Sequence, residues 1–288
     1  MSRIKLSTPL PPKLTEWLKD VYPAWLQLPK EAFYGMVPFN SQRSPLHLNY
    51  SDCAADLATT VIFSNLRVFL TLIREGRITL LENGKISSDS LDLLLETTTW
   101  PNRDLEMTRM MRRPLDQENI GPLDFLTALA QAARLTTIAE GRIAVTDSGR
   151  RVCEHLVEPS IVRAVFESAF IRVNPRTLTK LAHPWVHEQA GIIFWGLSIT
   201  ADAPRSVSEL TRYCFVPPEK HIDDALGVLE LYMRTVYLTP LTWFGLMETN
   251  TTIDNETHAY DRLYHKAPLF DRFMEFDLEQ ALPLERPN

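Results

Sequence analysis

The sequence EGRIAVTDSGRR (residues 140–151) decides how this chain is organised, because it repeats the earlier stretch EGRITLLENGKI (residues 75–86). The two stretches share five of twelve residues, and four further positions keep their chemistry. In the second copy, Gly141 separates two short apolar segments, and Thr146 stands where a helix cap belongs. This copy therefore predicts a β-hairpin formed by residues 135–139 and 142–145, followed at once by a helix.

Helices are predicted on both sides of each copy. Residues 54–75 are mostly apolar and contain neither Pro nor Gly, which predicts one or two core helices. Residues 123–134 are rich in Ala and Leu and predict another helix. In the first copy, Asn83-Gly84 indicates a turn, and Ser87 or Ser88 can cap the helix that follows. Helix, hairpin and capped helix together form the C-terminal half of a winged-helix unit.

The last third of the chain shows the same theme. Ser206 and Glu209 have capping-box spacing, and residues 222–232 predict an amphipathic helix. The segment from Val236 to Met247 is similar to the aromatic-Gly-Leu entry to a wing, with an outgoing strand at 259–265. A closing helix is predicted at 269–276.

The first fifty residues differ in composition, since they carry seven prolines. A short helix is predicted from Pro12 to Tyr22, and the remainder reads as an extended arm whose aromatic residues pack on the domains. The predicted fold class is mainly α with short β-hairpins, in tandem winged-helix-like units. The predicted segments are an arm (1–50), a first unit with its connector (51–118), a second unit (119–200) and a third, divergent unit (201–288).

These turn and apolar positions resemble a broad group of uncharacterised bacterial proteins. The residues that carry the resemblance are 76–84, 133–143 and the segment from Pro159 to Phe166. Some members of the group occur with a domain named after an open reading frame on a bacterial Ri plasmid. The resemblance implies a bacterial source and tandem winged-helix-like units over roughly residues 55–275. It supplies no catalytic residues. The first copy departs from the pattern, because Leu81 occupies the position that Thr146 has in the second copy.

Composition limits the classes of function. The chain has 288 residues, a net charge of −6 and a pI of about 5.7, which argues against a surface that attracts nucleic acid throughout. Three cysteines lie far apart, which fits a reducing compartment better than a disulfide framework. The first residues lack the apolar core of a signal peptide, and no apolar run of about 18 residues occurs. We therefore expect a cytoplasmic protein that does not engage membranes.

Catalytic and cofactor motifs are weak. His183 and His187 have helical metal-ligand spacing, but Pro184 separates them and a third ligand is not evident. Cys214 and His221 are too generically spaced to identify a catalytic dyad. Glycine-rich phosphate loops are absent from the sequence. We predict no cofactor and no metal.

Three hypotheses of function follow. The favoured one is a non-enzymatic binding or adaptor protein that uses winged-helix-like surfaces to hold a protein partner or itself. The alternative is a DNA-binding transcriptional, plasmid-associated or defence-associated regulator, whose phosphate contacts would come from Arg109, Arg112, Arg113, Arg142, Arg150 and Arg151. The third is an enzyme with an unrecognised site around His183, His187 and His221.

Overall fold

The computed structural model describes residues 12–18, 21–42, 44–101, 115–217, 225–253 and 260–278. In chain order the helices are α1 (Pro12–Leu18), α2 (Lys30–Gly35), α3 (Tyr50–Ala58), α4 (Val61–Arg74), α5 (Ser88–Thr97), α6 (Gly121–Ala132), α7 (Asp147–Cys153), α8 (Pro159–Glu167), α9 (Ala190–Thr200), α10 (Val207–Cys214), α11 (Ala225–Tyr232), α12 (Thr239–Trp243) and α13 (Pro268–Phe273). The strands are β1 (Leu46–Leu48), β2 (Thr136–Ala139), β3 (Arg142–Val145), β4 (Met247–Ile253), β5 (Tyr260–Lys266) and β6 (Met274–Phe276). The predicted fold class, mainly α with short β-hairpins, is confirmed at this level.

The chain divides into two compact units. We name them by their place in the sequence: the central unit comprises Asn49–Pro184 with Trp243–Gly245, and the flanking unit comprises the remaining segments, Met1–Leu48, Trp185–Thr242 and Leu246–Asn288. The four segments predicted from the sequence, with boundaries at residues 50, 118 and 200, divide the chain by its sequence repeats. The two compact units divide it by spatial contact, so they do not test those boundaries. The four segments stay a prediction.

The core of the central unit follows from helical periodicity. On α4, Ile62, Leu66, Phe69 and Ile73 recur every three or four residues, and all four are buried. One or two helices were predicted over residues 54–75, and the structure has two, α3 and α4. The chain returns to this core at Trp243, whose ring lies 4.6 Å from that of Trp100.

The first sequence copy does not form the same structure as the second. Gly76 ends α4 in the left-handed conformation (φ +70°), where Arg77 N donates to Leu72 O, as in a Schellman cap. A turn through Gly84 (φ +79°) then brings Leu80 opposite Ile86 in a single bridge. The strand pairing in this copy is thus one bridge long, because the turn runs directly into α5. The predicted cap is confirmed, since Ser87 accepts from Ser90 N.

The flanking unit contains the second hairpin. Strand β4 pairs with β5 in antiparallel register, and Arg205 forms an isolated bridge with Tyr264 of β5. The predicted capping box is present at the start of α10. Glu209 N donates to the Ser206 side chain, and Ser206 N donates to the Glu209 carboxylate. Gly245 (φ +67°) precedes β4, as the proposed wing entry requires.

Two predictions for the flanking unit were wrong. Residues 24–27 form a 3-10 helix and α2 follows, where an extended arm was expected. Pro29 opens α2 from the N-cap position, so its restricted φ favours the helix rather than interrupting it. The closing helix was expected to reach residue 276, but it ends at Phe273. Residues 274–276 pair with β1 instead, with Leu46 opposite Phe276.

Helix length bears on membrane insertion. Within the described segments, no single helix has the length and apolar character needed to cross a bilayer. Helices α3 and α4 would satisfy that test only together, and they are bent by 66°.

Candidate interaction surface

The β2–β3 hairpin is built by local rules. Helix α6 ends with Arg134 in the left-handed conformation (φ +57°), and Leu135 N then donates to Ala130 O, which turns the chain into β2. At the tip, Glu140 and Gly141 both have positive φ (+52° and +71°). Two such residues match the type I′ turn that suits the right-handed twist of paired strands. The predicted hairpin is therefore confirmed.

Thr146 joins the base of the hairpin to the next helix. Its Oγ1 accepts from Gly149 N at 3.2 Å and donates to Arg134 O at 2.8 Å, while its backbone N donates to Leu135 O. The predicted N-cap is thus confirmed. Gly149 lies so near the hairpin that a Cβ there would be 2.2 Å from Leu135 O. The orientation of α7 against the hairpin is consequently fixed at short range.

The outer part of the hairpin is exposed and mostly uncharged. We call this the hairpin surface: Thr137, Ile138, Ala139, Glu140, Gly141, Arg142 and Ala144, all of them exposed, with Glu140 and Arg142 as its charged members. The Ile138 side chain is 44% exposed although it stands opposite Ile143 in the register. An exposed β-branched residue near a hairpin tip provides apolar contact area for another molecule.

The candidate DNA-binding arginines differ in whether a carboxylate forms an ion pair with them. Arg150 forms an ion pair with Asp147 and donates to Val145 O, and Arg151 Nη2 lies 2.6 Å from Glu158 Oε1. Among the described residues, Arg142 has no carboxylate partner. The predicted arginine set is therefore largely neutralised on α7, and the uncompensated charge lies on the hairpin surface.

The other candidate positions contribute little positive charge where the structure describes them. Arg109, Arg112 and Arg113 lie outside the described residues. Helix α6, which leads into the hairpin, contains neither Lys nor Arg and buries most of its length, including Leu123, Phe125, Leu126 and Leu129. Arg134, which follows its C-terminal end, is the one cation that this helix brings to the hairpin, so the helix offers little electrostatic attraction to a duplex.

The proposed catalytic and metal residues do not form a reactive centre within the described segments. Burial raises the pKa of the Cys214 thiol to about 12, so the thiol is protonated and unreactive at neutral pH. Its proposed partner, His221, lies outside the described residues. Where the structure describes the chain, no group of three or more His, Cys, Asp or Glu side chains could hold a metal, so His183 and His187 acquire no third ligand there.

Sequence reasoning missed two features. The first is Ile138, whose position two residues before the Glu140-Gly141 turn is a signal of exposure. The second is Arg67, which the sequence does not distinguish from other helical arginines. Comparison with known proteins adds no assignment, because no family model, curated protein or solved structure matches the chain.

Proposed function

We propose that this is a non-enzymatic binding or adaptor protein of the cytoplasm, built from winged-helix-like units that hold a protein partner or a second copy of the chain. The proposal assigns the contact in the central unit to the hairpin surface. The observation that carries it is an exposed, mostly uncharged hairpin that follows a helix whose one cation, Arg134, lies at its end.

The order of elements supports the winged-helix description. Among the described elements of the central unit, α4 is followed by the Leu80–Ile86 bridge, α5, α6 and the β2–β3 hairpin. The winged helix proposed here therefore joins elements of the predicted first and second units. In the flanking unit, α9 is followed by the Arg205 bridge, α10, α11 with α12 and the β4–β5 hairpin. Helix, bridged segment, two helices and a hairpin are the succession expected of a winged helix, with the hairpin as its wing.

The distribution of charge favours a protein over a nucleic acid. A winged helix that reads DNA places a helix in the major groove, and Lys and Arg supply most of the electrostatic attraction to phosphate. Helix α6 supplies only Arg134, at its end, and the cations of α7 are compensated by Asp147 and Glu158. Apolar contact through Ile138 suits the buried centre of a protein interface.

One pair of variants tests the proposal. Ile138→Glu places a charge at the centre of the hairpin surface, and Leu81→Glu makes the same change at another exposed apolar side chain of the central unit, 49% exposed. Sedimentation of the purified protein detects self-association, and affinity purification with nuclease treatment detects a separate partner. We expect Ile138→Glu alone to lose the contact. A wild-type protein that remains monomeric and retains nothing that Ile138→Glu loses would refute the proposal.

A DNA-binding regulator is the second candidate, favoured by the uncompensated charge of Arg142. Anisotropy of labelled duplex DNA, measured over a series of salt concentrations, tests it. Phosphate contacts would give an affinity that falls with salt, and Arg142→Glu would lower both the affinity and the salt dependence. Binding unchanged by Arg142→Glu and by the Arg150→Glu, Arg151→Glu double variant would remove these residues from the site.

A further inference from the structure

A cleft of about 750 Å³ opens in the central unit, and no residue of the β2–β3 hairpin lines it. Its walls come from α3, the beginning of α4, and the segment that joins α7 to α8. The lining residues are Ser51, Ala54, Ala55, Ala58, Thr59, Ser64, Arg67, His155, Val157 and Pro159. The volume falls within the range typical of small-molecule sites.

The charge of the cleft is unusual for this chain. Although the protein is acidic overall, with a net charge of −6, the lining contains Arg67 and His155 and neither Asp nor Glu. Three hydroxyl side chains, those of Ser51, Thr59 and Ser64, also line it, and the Thr59 hydroxyl donates to Asp56 O. The rest of the wall is alanine, valine and proline. A cationic group beside an apolar wall selects an anion that has an apolar body.

Arg67 is held in place without being neutralised. Its Nε donates to Val152 O and its Nη2 to Ala58 O, both at 3.3 Å. These acceptors are backbone carbonyls, so they orient the guanidinium and leave its full positive charge in place. Among the described residues, Arg67 has no carboxylate partner and Nη1 has no hydrogen-bond acceptor. A fixed, half-buried guanidinium with a free N–H is prepared to bind an anion.

His155 occupies a position where the fold would favour glycine. It ends α7 in the left-handed conformation (φ +60°), with Leu156 N donating to Arg151 O. Glycine adopts this conformation without steric cost, whereas histidine is strained there. In this strained conformation the His155 side chain forms part of the cleft wall. Arg134 ends α6 in the same way, but it does not line the cleft.

We propose that this cleft binds a small organic acid. The carboxylate would lie against Arg67 and His155, with the hydroxyls of Ser51 and Ser64 as further donors. The apolar body of the acid would lie along Ala54, Ala55, Ala58, Val157 and Pro159. This site is separate from the hairpin surface and does not depend on the proposed protein partner.

The full chain can be tested with acids and their neutral counterparts. The probes are benzoate, indole-3-acetate and octanoate, each compared with its amide by calorimetric titration and by ligand-observed NMR. We expect at least one acid to bind with a Kd of roughly millimolar or tighter, and its amide to bind at least tenfold more weakly. Arg67→Gln should weaken binding of that acid by tenfold or more.

Two further variants separate binding from folding. His155→Gly removes the imidazole and relieves the strained backbone, so it should raise the melting temperature and weaken binding severalfold. Arg134→Gly relieves the same strain away from the cleft, so it should raise the melting temperature and leave the Kd unchanged. The proposal is overturned if no acid binds, if acids and amides bind alike, or if both Arg67→Gln and His155→Gly retain wild-type affinity.

Discussion

Replacing Gly149 by alanine tests whether the close contact between α7 and the hairpin holds the central unit together. The added Cβ would lie 2.2 Å from Leu135 O and 2.7 Å from Val145 Cγ1. The backbone oxygen cannot rotate away as a flexible side chain can. Helix α7 would therefore have to move by about 1 Å to restore an ordinary contact distance.

The expected cost is worked from three destabilising contributions and one stabilising one. Overpacking at a rigid site costs about 1–3 kcal/mol. Movement of α7 also weakens the Thr146 cap to Gly149 N, which is worth about 1 kcal/mol, and the Thr146 N bond to Leu135 O, worth about 1 kcal/mol. Alanine in a helix recovers about 1 kcal/mol relative to glycine. The net destabilisation is about 2–4 kcal/mol, a large part of the stability of a typical domain.

The assay is denaturant unfolding combined with hydrogen exchange of residues 136–153. Gly227→Ala is the matched control, because Gly227 is exposed on α11 and a Cβ there meets nothing within 4 Å. That variant should be stabilised by up to about 1 kcal/mol through helix propensity alone. Gly149→Ala should lose stability and lose exchange protection in the hairpin. Equal stability of the two variants, with unchanged protection, would refute the argument from close approach.

Two further changes probe buried polar groups in the central unit. Asn65→Ala removes a buried amide that bonds both the N–H and the C=O of Thr99, so we expect a loss of about 2 kcal/mol in urea unfolding, at about 1 kcal/mol per bond; a loss below a few tenths would contradict it. Burial raises the pKa of Asp124, although the hydrogen bond from Gln117 opposes this shift, so the charged carboxylate is disfavoured in the folded state. Because a raised carboxyl pKa makes the protein less stable above that pKa, Asp124→Asn should be at least as stable as the wild type at pH 7, with an advantage that shrinks as pH falls toward 4; an advantage that grows on acidification would contradict this sign.

The local structure was predictable where one rule acted at one position. The caps at Ser87, Thr146 and Ser206 and the turn at Gly141 follow from short-range hydrogen bonding and from glycine's freedom at positive φ. The structural difference between the two copies was not predictable in the same way, because their sequences align. Gly84 and Gly149 align in sequence, yet Gly84 serves a left-handed turn and Gly149 serves a close helix contact.

Long-range pairing explains most of what sequence analysis missed. Met274–Phe276 becomes a strand only because β1, more than two hundred residues earlier, lies beside it. The cleft likewise joins α3, α4 and the α7–α8 turn. Its composition cannot be read before these segments are brought together. Arg67 differs from other helical arginines only in what surrounds it, and spacing along the chain does not report that.

Four helices end at a residue in the left-handed conformation, and the identity of that residue bears on function. Gly76 and Gly245 end α4 and α12 in the left-handed conformation at no steric cost, whereas Arg134 and His155 end α6 and α7 at about 1 kcal/mol each. All four positions serve the same local purpose, so folding alone would favour glycine throughout. A local rule broken without a gain in stability points to a role for the side chain. For His155 that role is the cleft. The fold of α7 thus carries the cost of placing an imidazole in the same cleft as Arg67, and the His155→Gly and Arg134→Gly pair measures that cost and its purpose separately.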